Sequence, residues 1–175
     1  DMRGLRLLDA GCGTGALAVA AALRGADVVA IDLSPTLVQL ACERQPLEAI
    51  AQAGGQIDFR SGDMLDPALG AFDYVVGMDS LIHYETPDIV AAVTALCNRS
   101  QSMAFTFAPR TPLLAVMHAT GKLFPKSDRA PAIVPVAEKR LSRLLAQRLP
   151  SHGITASERI ISGFYTSHAF LVART

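Results

Sequence analysis

Short apolar runs rich in Val, Ile and Leu alternate along the chain with longer stretches of helical periodicity. Residues 5–9 and 28–32 read as strands, and residues 15–23 and 35–53 as helices. This βαβ rhythm predicts a parallel sheet whose strands are joined by crossover helices. Gly25, Gly54 and Gly55 stand where helices should stop, and Ser34-Pro35 offers an N-cap followed by the residue best tolerated in a first turn. Further runs at 57–60, 74–78 and 103–107, with a helix over 87–96 between the last two, complete five parallel strands. Val75-Val76 and Phe105-Thr106-Phe107 lack polar alternation, as central strands covered on both faces should. The predicted fold class is therefore α/β, with a doubly wound, Rossmann-like sheet.

Beyond the fifth strand, Pro109, Pro112, Pro125, Pro131 and Pro135 interrupt the chain. A helical piece over 113–123 and a polar, proline-rich stretch over 124–136 form an insertion at about 109–137, either a plain connector or a lid over a site. A basic helix over 138–149 leads to Gly153. Two closing runs, 159–165 and 169–173, flank Thr166-Ser167-His168, which reads as the turn of a hairpin that adds an antiparallel strand. No internal repeat is visible, and residues 1–175 form a single domain.

Length and composition agree. The 175 residues are 50% hydrophobic, enough for one sizeable core and too few for two full domains. Lys plus Arg equals Asp plus Glu at 16 each, which leaves no positive excess for a polyphosphate backbone and argues against a nucleic-acid partner. No apolar run approaches the about 18 residues of a membrane span. Cys12, Cys42 and Cys97 are far apart and form no Cys-x-x-Cys pair, which argues against a disulfide framework or a zinc site. Each is expected to pack as a small buried residue in a reducing, cytoplasmic setting. There is no initiator Met and no basic leader, and the first strand begins almost at once, so the chain is expected to be cut at its front.

The chemistry concentrates where strands end. Asp9-Ala10-Gly11-Cys12-Gly13-Thr14-Gly15 follows a strand and opens a helix, the place where an α/β sheet holds its ligand. Its Gly-x-Gly-x-Gly spacing is tighter than the Gly-x-Gly-x-x-Gly of dinucleotide enzymes and favours a ligand without phosphate. Asp32 ends the second strand, where a carboxylate either accepts two hydrogen bonds from a ribose diol or serves as a capping acid. Gly62-Asp63-Met64-Leu65 follows the third strand, and Asp79-Ser80-Leu81-Ile82-His83-Tyr84 the fourth. His118, His152 and His168 have no such placement and read as structural.

Asp-x-Gly-x-Gly-x-Gly after a first strand resembles the signature of class I S-adenosylmethionine-dependent methyltransferases. The resemblance implies a cofactor set of Asp9, Gly11, Cys12, Gly13, Gly15, Asp32, Leu33, Asp63, Met64 and Asp79. Within it, Asp9 orients the amino group of the methionine part, Asp32 holds the ribose, Asp63 accepts the adenine amino group and Met64 packs on the ring. His83 would be the catalytic residue, in contact with the methyl acceptor, and S-adenosylhomocysteine the product.

Other stretches resemble the magnesium protoporphyrin IX methyltransferase family, whose purple-bacterial branch is the most similar. They are Asp79-Ser80-Leu81-Ile82-His83-Tyr84, Phe105-Thr106-Phe107-Ala108-Pro109-Arg110-Thr111, Gly121-Lys122-Leu123-Phe124-Pro125, Ser127-Asp128-Arg129-Ala130-Pro131 and Ser162-Gly163-Phe164-Tyr165-Thr166-Ser167. This implies methyl transfer to a propionate of Mg-protoporphyrin IX in (bacterio)chlorophyll biosynthesis, with Mg²⁺ present only as part of the substrate and no metal site of the protein's own. It also implies the large porphyrin-binding subunit of magnesium chelatase as a partner, and peripheral contact with the photosynthetic membrane. His83 would orient the propionate or, as a lower-ranked alternative, ligate the porphyrin magnesium. Arg110, Lys122 and Arg129 are either partners of the second propionate or solvated surface charge, and the apolar helix 113–123 with Phe124 would face the macrocycle. The family carries a helical leader before its first strand, which is expected to be missing from this sequence, so groups it supplies are not assigned here. An O- or N-methyltransferase for another small molecule and a non-catalytic porphyrin-binding module are the competing readings.

Overall fold

The computed structural model describes residues 1–110, 133–162 and 165–175. Its strands are β1 (Arg6–Ala10), β2 (Asp27–Asp32), β3 (Gln56–Ser61), β4 (Phe72–Gly77), β5 (Ser100–Phe107), β6 (His152–Ser162) and β7 (Tyr165–Arg174). The described helices are α1 (Ala16–Ala22), α2 (Pro35–Arg44), α3 (Leu47–Ala53), α4 (Thr86–Cys97) and α5 (Glu138–Arg148). The strands form one sheet in the order β3-β2-β1-β4-β5-β7-β6. The first five are parallel, β7 runs antiparallel to β5, and β6 antiparallel to β7. This is the expected doubly wound, mostly parallel α/β fold. Strand order reverses between β1 and β4, so a crevice opens at their carboxyl ends, where such sheets hold ligands.

The missing polar alternation is explained by burial on both faces. Leu7, Val28 and Ala30 face Ala18, Ala21 and Ala22 of α1 and Ile50 of α3. Leu8, Ala10, Val29 and Ile31 turn the other way, into a larger cluster with α4, α5 and the aromatic residues of β5 and β7. Alanines on α1 keep its packing face flat, which brings its first turn close to the end of β1.

Three expectations are corrected. Residues 35–53 form two helices, because Gln45 precedes Pro46 and adopts the extended backbone (φ −67°, ψ 136°) that a following proline favours. Thr166, Ser167 and His168 are not a turn. They pair with Ile161, Ile160 and Arg159 inside a long hairpin whose strands stay in register up to Ser162 opposite Tyr165. Their polarity mimics a turn, yet His168 is buried with its Nε2 2.8 Å from Ser157 Oγ. Cys42 is exposed, whereas Cys12 and Cys97 are buried as expected. Burial pushes the Cys12 thiol up to about 12 and the Cys97 thiol up to about 11, so neither is a nucleophile at neutral pH.

The anticipated helix 113–123, His118, Lys122, Phe124 and Arg129 lie outside the described residues. Both ends of the insertion are tied down. Pro109 bridges Val136, Arg110 N donates to Val136 O at 2.8 Å, and Val136 N to Ala108 O at 2.8 Å. No described helix is long and apolar enough to cross a membrane.

Phe105 is 1% exposed at the centre of the larger cluster, edge-on to Phe170 at 6.0 Å between ring centroids. Phe105→Ala is expected to cost about 3–5 kcal/mol, read as a lowered urea midpoint with an unchanged slope.

Candidate active site

Four acids stand at or just beyond the carboxyl ends of four adjacent strands: Asp63 after β3, Asp32 on β2, Asp9 on β1 and Asp79 after β4. Between them runs the glycine turn. Gly11 N and Cys12 N both donate to Ile31 O, at 2.9 and 3.0 Å, and Gly15 N donates to Cys12 O at 2.8 Å. Gly11 has a φ of +86°, and a Cβ there would lie 2.4 Å from Ser80 Cβ. The loop after β4 is therefore pressed onto the turn after β1, with no room for a side chain between them. Gly13 has a φ of +52° and nothing within 4 Å of where its Cβ would stand, so its bare backbone faces open space. Gly15 begins α1 beneath the ring of Phe59.

Asp32 is held by two backbone donors, Gly13 N to Oδ2 at 3.0 Å and Ser34 N to Oδ1 at 2.8 Å. Ser34, rather than Asp32, caps α2 by accepting from Leu37 N. Each Asp32 oxygen keeps a lone pair for an incoming hydroxyl, and beside it Leu33 is 73% exposed.

Asp9 lies deeper, 2% exposed, and its Oδ2 accepts from Ala18 N at 3.1 Å. It supplies the side-chain acceptor that α1 lacks at Gly15. Desolvation pushes its carboxyl from an ordinary 3.8 up to about 7; the Ala18 N–H opposes the rise and the Asp32 charge adds to it. Cys12 contributes backbone only, its thiol being buried.

Asp63 is exposed, with Oδ1 accepting from Leu65 N at 2.8 Å. Met64 is 9% exposed and packs in the larger core, so only its edge is open to a ligand. Asp79 takes a left-handed backbone (φ +55°), a conformation in which Asp is among the tolerated residues. Its N donates to Thr106 Oγ1 at 2.7 Å, and that hydroxyl donates back to Asp79 Oδ1 at 3.0 Å. Neither Thr106 nor Ser80 was expected in the site. The one signal for Thr106 is a hydroxyl inside an otherwise apolar strand run.

His83 is half-buried in the loop between β4 and α4. Fully buried Leu81 anchors that loop, Tyr84 N donates to Leu81 O at 3.1 Å, and Val134 N donates to Ile82 O at 2.9 Å. His83 thus sits beside the returning end of the insertion, in the loop whose Ser80 packs on the glycine turn. Arg110 is exposed just past β5.

His152 and His168 serve structure. His152 Nδ1 meets Ser151 Oγ at 3.1 Å. His168 stacks on Phe107, and its Nδ1 lies 3.2 Å from Glu138 Oε2 without hydrogen-bond alignment. A cavity of about 670 Å³ opens at the opposite, amino ends of the strands, lined in part by Arg6, Asp73, Arg99 and Arg174. It contains none of the expected site residues.

Residues 77–174 match a family model described as "Magnesium-protoporphyrin IX methyltransferase C-terminus", and residues 7–100 match one described as "Methyltransferase domain". The chain is 47% identical over 168 residues to the magnesium-protoporphyrin O-methyltransferase of Rhodobacter capsulatus, covering 95% of this chain and 71% of that relative. It is 30% identical over 166 residues to the chloroplastic magnesium protoporphyrin IX methyltransferase of Arabidopsis thaliana, covering 90% of this chain and 51% of the plant protein. The chain therefore spans about half the length of the plant relative. The crystal structure of magnesium protoporphyrin IX methyltransferase from Synechocystis PCC 6803 with bound SAH superposes with a TM-score of 0.80 at 28% identity, covering 99% of this chain and 75% of that one.

A buried acid with a raised pKa favours the fold while protonated and loses that contribution as pH climbs through the raised value. Asp9→Asn keeps the acceptor for Ala18 N and removes the charge. At pH 8 the variant is expected to be more stable than the parent by up to about 4 kcal/mol. The difference should shrink between about pH 7 and 3.8 and vanish below it. A pH series of urea melts on both proteins checks this.

Proposed function

The chain belongs to the magnesium-protoporphyrin IX methyltransferase family, and from that premise we propose that it methylates a propionate of Mg-protoporphyrin IX, using S-adenosylmethionine held over the glycine turn. The observation that carries the reading is the open backbone at Gly13, bounded by the oriented carboxylate of Asp32 at the switch point of the sheet.

The residues present fit that cofactor. A Cβ at Gly13 would fill the space a nucleoside needs, and Asp32 retains lone pairs for the ribose diol. Asp63 keeps one oxygen free of Leu65 N for the adenine amino group, and the edge of Met64 borders it. Asp9 supplies negative charge beneath the turn for an ammonium, and the other glycines and Cys12 offer only backbone. Leu33 gives an apolar edge beside the ribose, and Asp79 closes the crevice opposite Asp32. When bound, S-adenosylmethionine supplies a methyl group on a sulfonium.

What remains for the protein is placement. A propionate is already ionised near neutral pH, so no strong base is needed to make the nucleophile. Holding the reacting atoms in line accounts for roughly 7–11 kcal/mol of a barrier. His83 fits the role of orienting the propionate and excluding water from it. Its loop is braced from both sides, by Leu81 within the core and by Val134 from the insertion. In this reading the returning end of the insertion, tied through Val134 N to Ile82 O, flanks the acceptor beside His83. The exposed Ile160 and Ile161 lie at the same end of the sheet. They provide the apolar surface on which peripheral membrane contact, or receipt of porphyrin from the large chelatase subunit, would rest.

Calorimetry is expected to detect S-adenosylhomocysteine binding, and micromolar Mg-protoporphyrin IX to shift its Soret band on addition of the protein. Absence of both signals from folded protein refutes the proposal. Asp32→Ala should weaken S-adenosylhomocysteine about tenfold or more, the loss of a bidentate, charge-assisted contact. His83→Ala should leave that affinity within about twofold while lowering radiolabel transfer to porphyrin by about 10²-fold or more. Equal loss of nucleoside affinity in both variants contradicts this division of roles.

A further inference from the structure

The parallel strands β1 to β2, β2 to β3 and β4 to β5 are joined through α-helices, whereas β3 reaches β4 through turns and one short 3-10 segment, Pro67–Leu69. A helix satisfies its own carbonyls; a chain of turns must send them elsewhere. Four of them go to two arginines. Arg99 Nη2 donates to Met64 O and its Nη1 to Asp66 O at 2.6 Å. Arg6 Nη1 donates to Ala71 O and its Nη2 to Leu69 O at 3.2 Å. One guanidinium grips the first half of the connection, the other the second.

Only the first half carries Asp63. Its Oδ1 accepts from Leu65 N at 2.8 Å, and its carbonyl accepts from Asp66 N at 3.1 Å. Leu65 stands between the two residues whose carbonyls Arg99 holds, so the turn that aims the Asp63 carboxylate is fixed on both flanks. Arg99 is costly for packing alone, because its Nε is buried without an acceptor. An apolar side chain would fill that volume, but only a planar fork spans two carbonyls at once.

We propose that Arg99 is a positioning residue for base recognition: by fixing Met64 O and Asp66 O it aims the Asp63 carboxylate and makes the site select a 6-aminopurine over a 6-oxopurine. The selection follows from hydrogen-bond polarity. A carboxylate accepts from an exocyclic amine and repels a carbonyl oxygen at the same place. This assignment rests on the cofactor reading above.

The test compares binding of S-adenosylhomocysteine and S-inosylhomocysteine by calorimetry on the whole chain. The unaltered protein should prefer the adenine ligand by about tenfold or more, the worth of one charge-assisted hydrogen bond. Arg99→Met should reduce that preference to about threefold or less, and Arg99→Lys, which keeps the charge but not the fork, should fall between. Arg6→Met, gripping nothing near Asp63, should lower the melting temperature and keep the preference. Should Arg99→Met not fold, Arg99→Lys against Arg6→Met carries the comparison. An unchanged preference in the Arg99 variants, or equal weakening of both ligands, overturns the assignment while leaving the cofactor reading intact. Failure of the unaltered protein to bind S-adenosylhomocysteine overturns both.

Discussion

The hydrogen bond from Gly13 N to the Asp32 carboxylate joins the turn after β1 to the end of β2, and the crevice takes its shape from that link. With Ser34 N on its other oxygen, Asp32 is held by backbone alone and keeps its direction without relying on a mobile side-chain partner. Asp9, one layer down, has a different environment. It is desolvated, holds a single backbone donor and feels the Asp32 charge, so its proton is held up to about pH 7. A cation entering above Asp9 would favour its ionised form.

Contact between Ser80 and Gly11 extends this rigidity to the fourth strand. Because no Cβ fits at Gly11, the loop carrying Asp79, Ser80 and His83 lies directly on the motif after β1. Thr106 completes the arrangement by exchanging hydrogen bonds with Asp79 across the β4–β5 boundary. The proposed acceptor-side residue and the glycine turn are therefore parts of one packed unit. Loosening Ser80 would displace both.

The sequence conveyed what depends on period and steric freedom. Burial on both faces erased polar alternation in Val75-Val76 and Phe105-Thr106-Phe107, and the glycine spacing marked the switch point. Errors arose where a local signal had two physical meanings. Leu47 and Ile50 continue a helical period across Pro46, and Thr166-Ser167-His168 shows turn polarity inside a strand. Arg99 and Arg6 left no legible mark at all. Their partners are backbone carbonyls, which every residue possesses, so residue type at positions 64, 66, 69 and 71 says nothing about who takes them.

Net charge concealed a further arrangement. Acidic and basic residues balance at 16 each, which argued against polyanionic partners, yet the balance is uneven in space. Asp9, Asp32, Asp63 and Asp79 gather at the carboxyl ends of the parallel strands, while Arg6 and Arg174 lie with Asp73 at the opposite edge and Arg99 reaches from there to the turn that carries Asp63. Arg60 is near the acidic end, but it is paired with Asp58, and Arg110 lies out beyond β5. Such a grouping makes the described crevice locally acidic, which favours a cationic ligand over about a Debye length, some 8–10 Å at ordinary salt. Under the proposed function, an anionic acceptor is disfavoured there until the sulfonium is in place. On that reading, carboxylates grouped at one end of the sheet therefore suit a sulfonium better than a second anion.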